Sequence, residues 1–80
     1  MEVLKFSASW CQPCKMLAKT IQGMEMPCDV TEIDIDEFPE TAQSYQVRGV
    51  PTMILLDDKG AVVSRLVGMQ SATKIGEWLA

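Results

Sequence analysis

The sequence contains no histidine and only three cysteines, which leaves few residues of the types that hold structural zinc. A mononuclear zinc site needs four ligands, so carboxylates or a second chain would have to complete it, and we predict no metal site. The chain also has no run of basic residues, and 11 acidic residues against 7 Lys and Arg give a net charge of -4. The chain therefore offers no cluster of positive charges that could bind a phosphate backbone, so nucleic acid is not an expected partner.

Long hydrophobic stretches are absent as well. No segment is long enough to cross a bilayer, and Met1 leads into strand-like sequence without the basic region and apolar core of a secretion signal. The chain lacks internal repeats and linkers, and its 80 residues, 48% of them apolar, suffice for one small core. We therefore predict a single cytoplasmic domain over residues 1–80, monomeric and without a membrane partner. A mature periplasmic domain whose signal had been removed would look similar.

The most informative feature that is present is Trp10-Cys11-Gln12-Pro13-Cys14, which follows an extended apolar stretch and opens a helical run. A cysteine at a helix start lies near unpaired backbone N–H groups and the positive end of the helix dipole, which favour its thiolate. Cys11 is therefore the predicted nucleophile. Cys14, one turn further on, is placed to attack a mixed disulfide formed at Cys11 and to release the partner in reduced form.

Strand-like and helix-like segments alternate along the chain in the order βαβαββα, which predicts an α/β fold. Asp57-Asp58-Lys59-Gly60 has the composition of a turn and joins the last two strands as a hairpin. The predicted strands are Glu2 to Phe6, Val30 to Ile35, Thr52 to Leu56 and Ala61 to Val67; the first helix has Pro13 in its first turn and ends at Gly23, the second runs from Pro39 to Tyr45, and the third follows Ser71 as N-cap.

These motifs give the chain a close resemblance to the thioredoxin family over nearly all of its 80 residues. The Cys11 motif is similar to the thioredoxin active site, and Arg48-Gly49-Val50-Pro51-Thr52 matches the segment that carries the family's cis-proline. The resemblance implies a minimal thioredoxin fold, with a four-stranded mixed sheet and helices on both faces. This minimal fold lacks the N-terminal strand and helix of full-length thioredoxins, so the Val30 to Ile35 strand is expected at the edge of the sheet.

The same resemblance implies a protein-disulfide reductase that holds no bound cofactor. Its redox group would be the Cys11–Cys14 disulfide, and its partners would be disulfide-containing proteins and a reductase. Its electrons would come from a thioredoxin reductase or from glutathione. In the family, the residue before the cis-proline pairs with the substrate main chain, and that position is Val50 here. The residues expected at the partner-binding surface are Trp10, Gln12, Pro13, Val50, Pro51, Gly68 and Met69.

Two departures from the family pattern concern the chemistry of the thiols. Gln12 stands where thioredoxins have glycine, between cysteines whose neighbours tune the reduction potential. Thioredoxins also carry a buried aspartate that relays protons to the second cysteine, and a lysine on the neighbouring strand that pairs with it. Alignment places Lys5 at the aspartate position and Glu32 at the lysine position, so the two charges are exchanged. An ammonium beneath Cys14 would lower the pKa of that thiol and make the couple more oxidising. Alternatively, Lys5 extends to solvent and Glu32 lies on the sheet edge.

Three other interpretations fit parts of the sequence. The small size is compatible with a glutaredoxin-like, glutathione-linked electron donor, although Val67-Gly68-Met69-Gln70 lacks the acidic-ended glycine loop of glutathione binders. A non-catalytic binding subunit with the same fold is a second possibility, and an oxidase or isomerase of an oxidising compartment is a third. Cys28 is interpreted as a small, partly buried filler in preference to a regulatory thiol.

Overall fold

The computed structural model describes all 80 residues and shows four strands and three helices in the predicted order. No helix in it has the length and apolar character needed to span a membrane. The elements are β1 (Glu2–Ser7), α1 (Gln12–Gln22), β2 (Asp29–Asp34), α2 (Pro39–Ser44), β3 (Thr52–Leu56), β4 (Val62–Val67) and α3 (Ala72–Leu79).

The strands form one mixed sheet in the order β2-β1-β3-β4. β1 pairs with β2 in parallel, whereas the β1–β3 and β3–β4 pairs are antiparallel. The predicted fold class is confirmed, and β2 lies at the edge of the sheet as expected. The central strands β1 and β3 carry the most buried segments because each has a neighbour on both sides.

The two faces of the sheet hold separate hydrophobic clusters because successive side chains of a strand point in opposite directions. On one face, Val3 and Met53 pack with Leu17 of α1 and Ile75 of α3. On the other face, a cluster that includes Phe6 packs against α2. Helices therefore cover both faces, and the start of α1 lies above the end of β1.

Side-chain hydrogen bonds explain why some boundaries differ by one residue from the prediction. β2 ends at Asp34 because this carboxylate accepts a hydrogen bond from the Asp36 backbone N–H at 2.8 Å, which turns the chain. Ala61 belongs to the hairpin turn, since its N–H donates to the Asp57 carboxylate at 2.9 Å. The predicted ends at Gly23 and Ser71 are confirmed as the C-cap of α1 and the N-cap of α3.

Candidate active site

The two cysteines lie at the start of α1, directly after β1. Cys11 is the N-cap residue, with extended backbone angles, and its Sγ accepts a hydrogen bond from the Cys14 backbone N–H at 3.2 Å. Pro13 occupies the first turn, where its missing N–H removes no helical hydrogen bond. Cys11 and Cys14 form a disulfide with their Cα atoms 5.3 Å apart. The helix start thus holds the pair at a separation at which the bond can form and break.

Exposure does not distinguish the two cysteines, because each is only 4% exposed. Both belong to a small cluster with Ala8, against which Ile35 and Val50 pack. The difference between them lies in their polar surroundings. The Cys11 sulfur accepts a hydrogen bond from a backbone N–H, whereas Cys14 lines a cavity between α1 and the β1–β2 edge.

A cis-proline loop lies against the cysteine cluster. The Val50–Pro51 peptide bond is cis, and Val50 contacts the cluster that holds both thiols. The backbone N–H of Gly68 donates to the Pro51 carbonyl at 2.8 Å. Gly68 has a φ of +86°, a backbone conformation that favours glycine. These contacts bring the loops before β3 and after β4 together beside the helix start.

Trp10 presents most of its indole to solvent and is 64% exposed. Its Nε1–H donates to the Asp36 carboxylate at 2.8 Å, which ties the residue before Cys11 to the loop after β2. Gln12 and Pro13 are exposed at the helix start, and Met69 is half-buried against the core cluster that contains Leu17. The partner-surface roles of these residues stay predictions.

Lys5 and Glu32 face each other across the β1–β2 pair and form an ion pair. They are register partners in the parallel ladder, and Lys5 Nζ lies 3.2 Å from Glu32 Oε2. The Lys5 side chain is 7% exposed and the Glu32 side chain 63% exposed, so Lys5 does not extend to solvent. The Ser7 hydroxyl donates to the other carboxylate oxygen, Glu32 Oε1, at 3.1 Å.

Cys14 shares its cavity with Glu32. The cavity holds about 220 Å³, and Lys5 is not part of its lining. Its charged groups are the carboxylates of Glu32 and Asp34 and the ammonium of Lys15, so Glu32 is the member of the Lys5–Glu32 pair that lines the cavity with Cys14. The lining residues are Ser7, Ala8, Ser9, Cys14, Lys15, Ala18, Glu32 and Asp34.

Sequence reasoning missed two polar contacts of the site. Ser7 could have been found from strand periodicity, because it lies two residues after Lys5 and therefore on the same face of β1. The contact between Trp10 and Asp36 joins residues 26 positions apart, and no local sequence pattern predicts it. The third cysteine, Cys28, has a free thiol, is half-buried and packs against the core cluster. The structure shows no group of three or more Cys, Asp or Glu residues placed to hold a metal ion.

Comparisons with known proteins agree with this geometry. The thioredoxin family model matches residues 1–80. A thioredoxin of Staphylococcus aureus is 36% identical over 83 residues, covering 99% of this chain and 79% of that protein.

Two solved structures have the same fold over nearly the whole chain. A mutant thioredoxin from Halobacterium salinarum superposes with a TM-score of 0.90 at 35% identity, covering 98% of this chain and 70% of its own. Fasciola hepatica thioredoxin gives a TM-score of 0.88 at 32% identity, covering 98% and 76% of the two chains. Together with the Cys11–Cys14 pair, these likenesses identify the chain as a thiol-disulfide oxidoreductase with protein-disulfide reductase activity. The chain belongs to the thioredoxin family.

Proposed function

We propose that the protein reduces disulfides of other proteins by attack of Cys11 and resolution by Cys14. The observation that carries this assignment is the Cys11 sulfur at the N-cap of α1, where it accepts the Cys14 backbone N–H. In the reduced protein this N–H and the helix dipole favour a thiolate at Cys11. Cys14 has no comparable backbone donor, and its place in the cavity suits the resolving thiol.

The reaction consists of two thiol-disulfide exchanges. The Cys11 thiolate attacks one sulfur of the substrate disulfide, which forms a mixed disulfide and expels the other sulfur as a thiolate that takes up a proton. The Cys14 thiolate then attacks Cys11 Sγ, forming the Cys11–Cys14 bond and releasing the second substrate sulfur. Two electrons pass from the protein dithiol to the substrate. The short reach between the two sulfurs makes the second step intramolecular and therefore fast.

The surface around Cys11 is proposed to bind an extended segment of the substrate. Trp10 offers an exposed apolar ring beside the cysteine, and the neighbouring loop is formed by the half-buried Val50 and by Pro51, whose side chain is fully buried and which would therefore act by shaping the backbone. A main-chain contact at Val50 would align the substrate without selecting a particular side chain, as pairing of extended backbones does. The remaining members of this proposed surface are Gln12, Pro13, Gly68 and Met69.

The Lys5–Glu32 pair is proposed to tune the couple. Lys5 carries a buried ammonium on the face of β1 that packs against α1, which supports the prediction that it favours the Cys14 thiolate. The negative charge of Glu32, in contact with Lys5, offsets part of the electrostatic effect of this ammonium on Cys14. Gln12 is proposed as a second tuning residue because it lies between the two cysteines.

Electrons are proposed to come from a thioredoxin reductase, with no cofactor bound to the protein. The supporting feature is the segment Val67 to Gln70, which lacks an acidic end that would hold glutathione. We also propose that residues 1–80 act as one monomeric domain in a reducing compartment such as the cytoplasm. Turnover with a thioredoxin reductase and NADPH should exceed turnover with glutathione; the reverse order would favour a glutathione-linked donor.

Two serine variants test the assigned roles. Cys11→Ser should abolish reduction of a disulfide-bonded test protein, because no nucleophile remains. Cys14→Ser should stall with the substrate attached to Cys11, which intact-mass spectrometry detects as a covalent adduct that dithiothreitol removes. The Cys28→Ser variant is the matched control and should retain wild-type turnover. Turnover by Cys11→Ser, or a Cys14→Ser protein without an adduct, would refute the assignment.

A further inference from the structure

The carboxylate of Glu32 is held at both oxygens beside the cavity that contains Cys14. Lys5 Nζ lies 3.2 Å from Oε2, and the Ser7 hydroxyl donates to Oε1 at 3.1 Å. Both holding residues belong to β1 and point to the same face, since they are two positions apart. Ser7 and Glu32 line the cavity together with Cys14.

We propose that Ser7 is a positioning residue that holds Glu32 where its carboxylate accepts the proton of the Cys14 thiol. The Glu32 side chain is 63% exposed and would otherwise be free to take rotamers that point into solvent. Lys5 fixes one oxygen only, which leaves rotation of the carboxylate about that contact. The second hydrogen bond from Ser7 restricts that rotation. The inference rests on the proposed resolving role of Cys14.

The other charged groups of the cavity are less suited to this proton transfer. Asp34 also lines the cavity, but its Oδ1 accepts the backbone N–H groups of Asp36 at 2.8 Å and Glu37 at 3.4 Å and so ends β2. Lys15 is an exposed ammonium on α1 and carries no acceptor when charged. Glu32 is therefore the carboxylate of this cavity that does not cap a turn, and each of its two held oxygens keeps a second lone pair for the thiol proton.

The proton moves during the second exchange. As Cys14 attacks Cys11 Sγ, its thiol proton passes to the Glu32 carboxylate through water in the cavity, and the Cys14–Cys11 bond forms while the Cys11–substrate bond breaks. The substrate leaves as a thiolate that is protonated from solvent. Glu32 then releases the proton to solvent, and when a reductase later reduces the Cys11–Cys14 disulfide, the departing Cys14 sulfur takes up a proton from solvent by way of Glu32. A positioned acid–base group accelerates such a step only while it stays within reach.

A single-turnover experiment separates the two exchanges. The reduced protein is mixed in a stopped-flow instrument with a symmetric disulfide whose two thiols both absorb light when released. The first thiol reports the attack by Cys11, and the second reports the release by Cys14. Ser7→Ala should slow the second phase by about three- to tenfold, the size expected for one hydrogen bond, and leave the first phase unchanged.

Ser9→Ala is the matched control, because Ser9 lines the same cavity and makes no hydrogen bond to Glu32; both of its phases should match the wild type. Glu32→Gln should slow the second phase more than Ser7→Ala, and in the Glu32→Gln protein Ser7→Ala should have no further effect. The proposal is overturned if Ser7→Ala slows both phases equally or keeps its full effect in the Glu32→Gln protein. Failure of the underlying function would look different, since Cys14→Ser would then still show the second phase.

Discussion

At the scale of single residues, the orientation of Trp10 depends on Asp36. The indole N–H donates to this carboxylate at 2.8 Å, and the ring is otherwise largely exposed. A ring fixed in this way presents its apolar face to a partner without first losing rotational freedom on binding. We infer that Asp36 contributes to partner affinity although it touches neither thiol.

The variant Asp36→Ala tests this inference. It should raise the KM for a disulfide-bonded protein substrate by about three- to tenfold, the cost of one charge-assisted hydrogen bond at an exposed site, with kcat unchanged. Reduction of a small disulfide that does not reach Trp10 should proceed at the wild-type rate. Glu37→Ala removes a neighbouring exposed carboxylate and is the control. A KM that responds equally to both variants would show that the loop charge, and not the indole contact, is responsible.

The exchange of Lys5 and Glu32 is the residue-scale feature that alignment with the family predicted best. Equal register positions on two parallel strands placed them together, and the structure brings their charged atoms to 3.2 Å. The alignment predicted the Lys5 ammonium beneath Cys14, whereas Glu32 is the member of the pair that lines the cavity with Cys14. Side-chain rotamers and the hydrogen bond from Ser7 decide this, and an alignment carries no information on them. The sequence pattern thus predicted the pair and missed its third member.

At the scale of elements, periodicity and turn composition predicted the type and order of all seven segments. The predicted hairpin is confirmed: Asp57 accepts N–H groups from Lys59 and Ala61, and Gly60 has a φ of +83°. Boundaries were less predictable where a side chain decides them. The Cys11 sulfur caps α1, so that helix begins at Gln12, and periodicity carries no information on such a cap.

The N-cap of α3 allows a stability prediction at this scale. Ser71 Oγ accepts the Lys74 backbone N–H at 3.2 Å, and α3 packs on the core through Ile75 and Trp78. Ser71→Ala should lower the free energy of unfolding by about 1 kcal/mol, because one helix-terminal N–H loses its acceptor. Urea unfolding measures the change.

Thr73→Ala provides the control for that experiment, since Thr73 is exposed within the same helix and makes no capping hydrogen bond. Both variants should keep wild-type reductase turnover, as α3 lies outside the cysteine cluster. If Thr73→Ala destabilises the protein as much as Ser71→Ala does, the cap is not the source of the effect.

At the scale of the whole molecule, the sheet connects the redox site to the core. β1 supplies Phe6 to one hydrophobic cluster and Val3 to the other, and the chain passes from its end directly to the thiols. The Lys5 ammonium lies on the same strand, buried between the sheet and α1. Lys5 is therefore placed to act on both folding and thiol oxidation, and its effect on each can be measured separately.

Folding and oxidation form one thermodynamic cycle. If Lys5 stabilises the reduced protein through the Cys14 thiolate, Lys5→Met should make the couple more reducing and lower the stability of the reduced form more than that of the oxidised form. The two measurements must agree, because a shift of about 30 mV in this two-electron couple corresponds to about 1.4 kcal/mol. Methionine keeps a similar chain length, which limits the contribution of a new cavity.

Equilibration of the Lys5→Met protein in glutathione redox buffers gives the potential, and urea unfolding of both redox forms gives the stabilities. Lys59→Met, in the exposed hairpin turn, is the control for loss of one positive charge and should leave the potential unchanged, since net charge alone acts weakly through solvent. An unchanged potential with equal destabilisation of both forms would mean that Lys5 stabilises the fold without tuning the thiols. A more reducing potential matched by selective loss of reduced-state stability would place the tuning charge at Lys5.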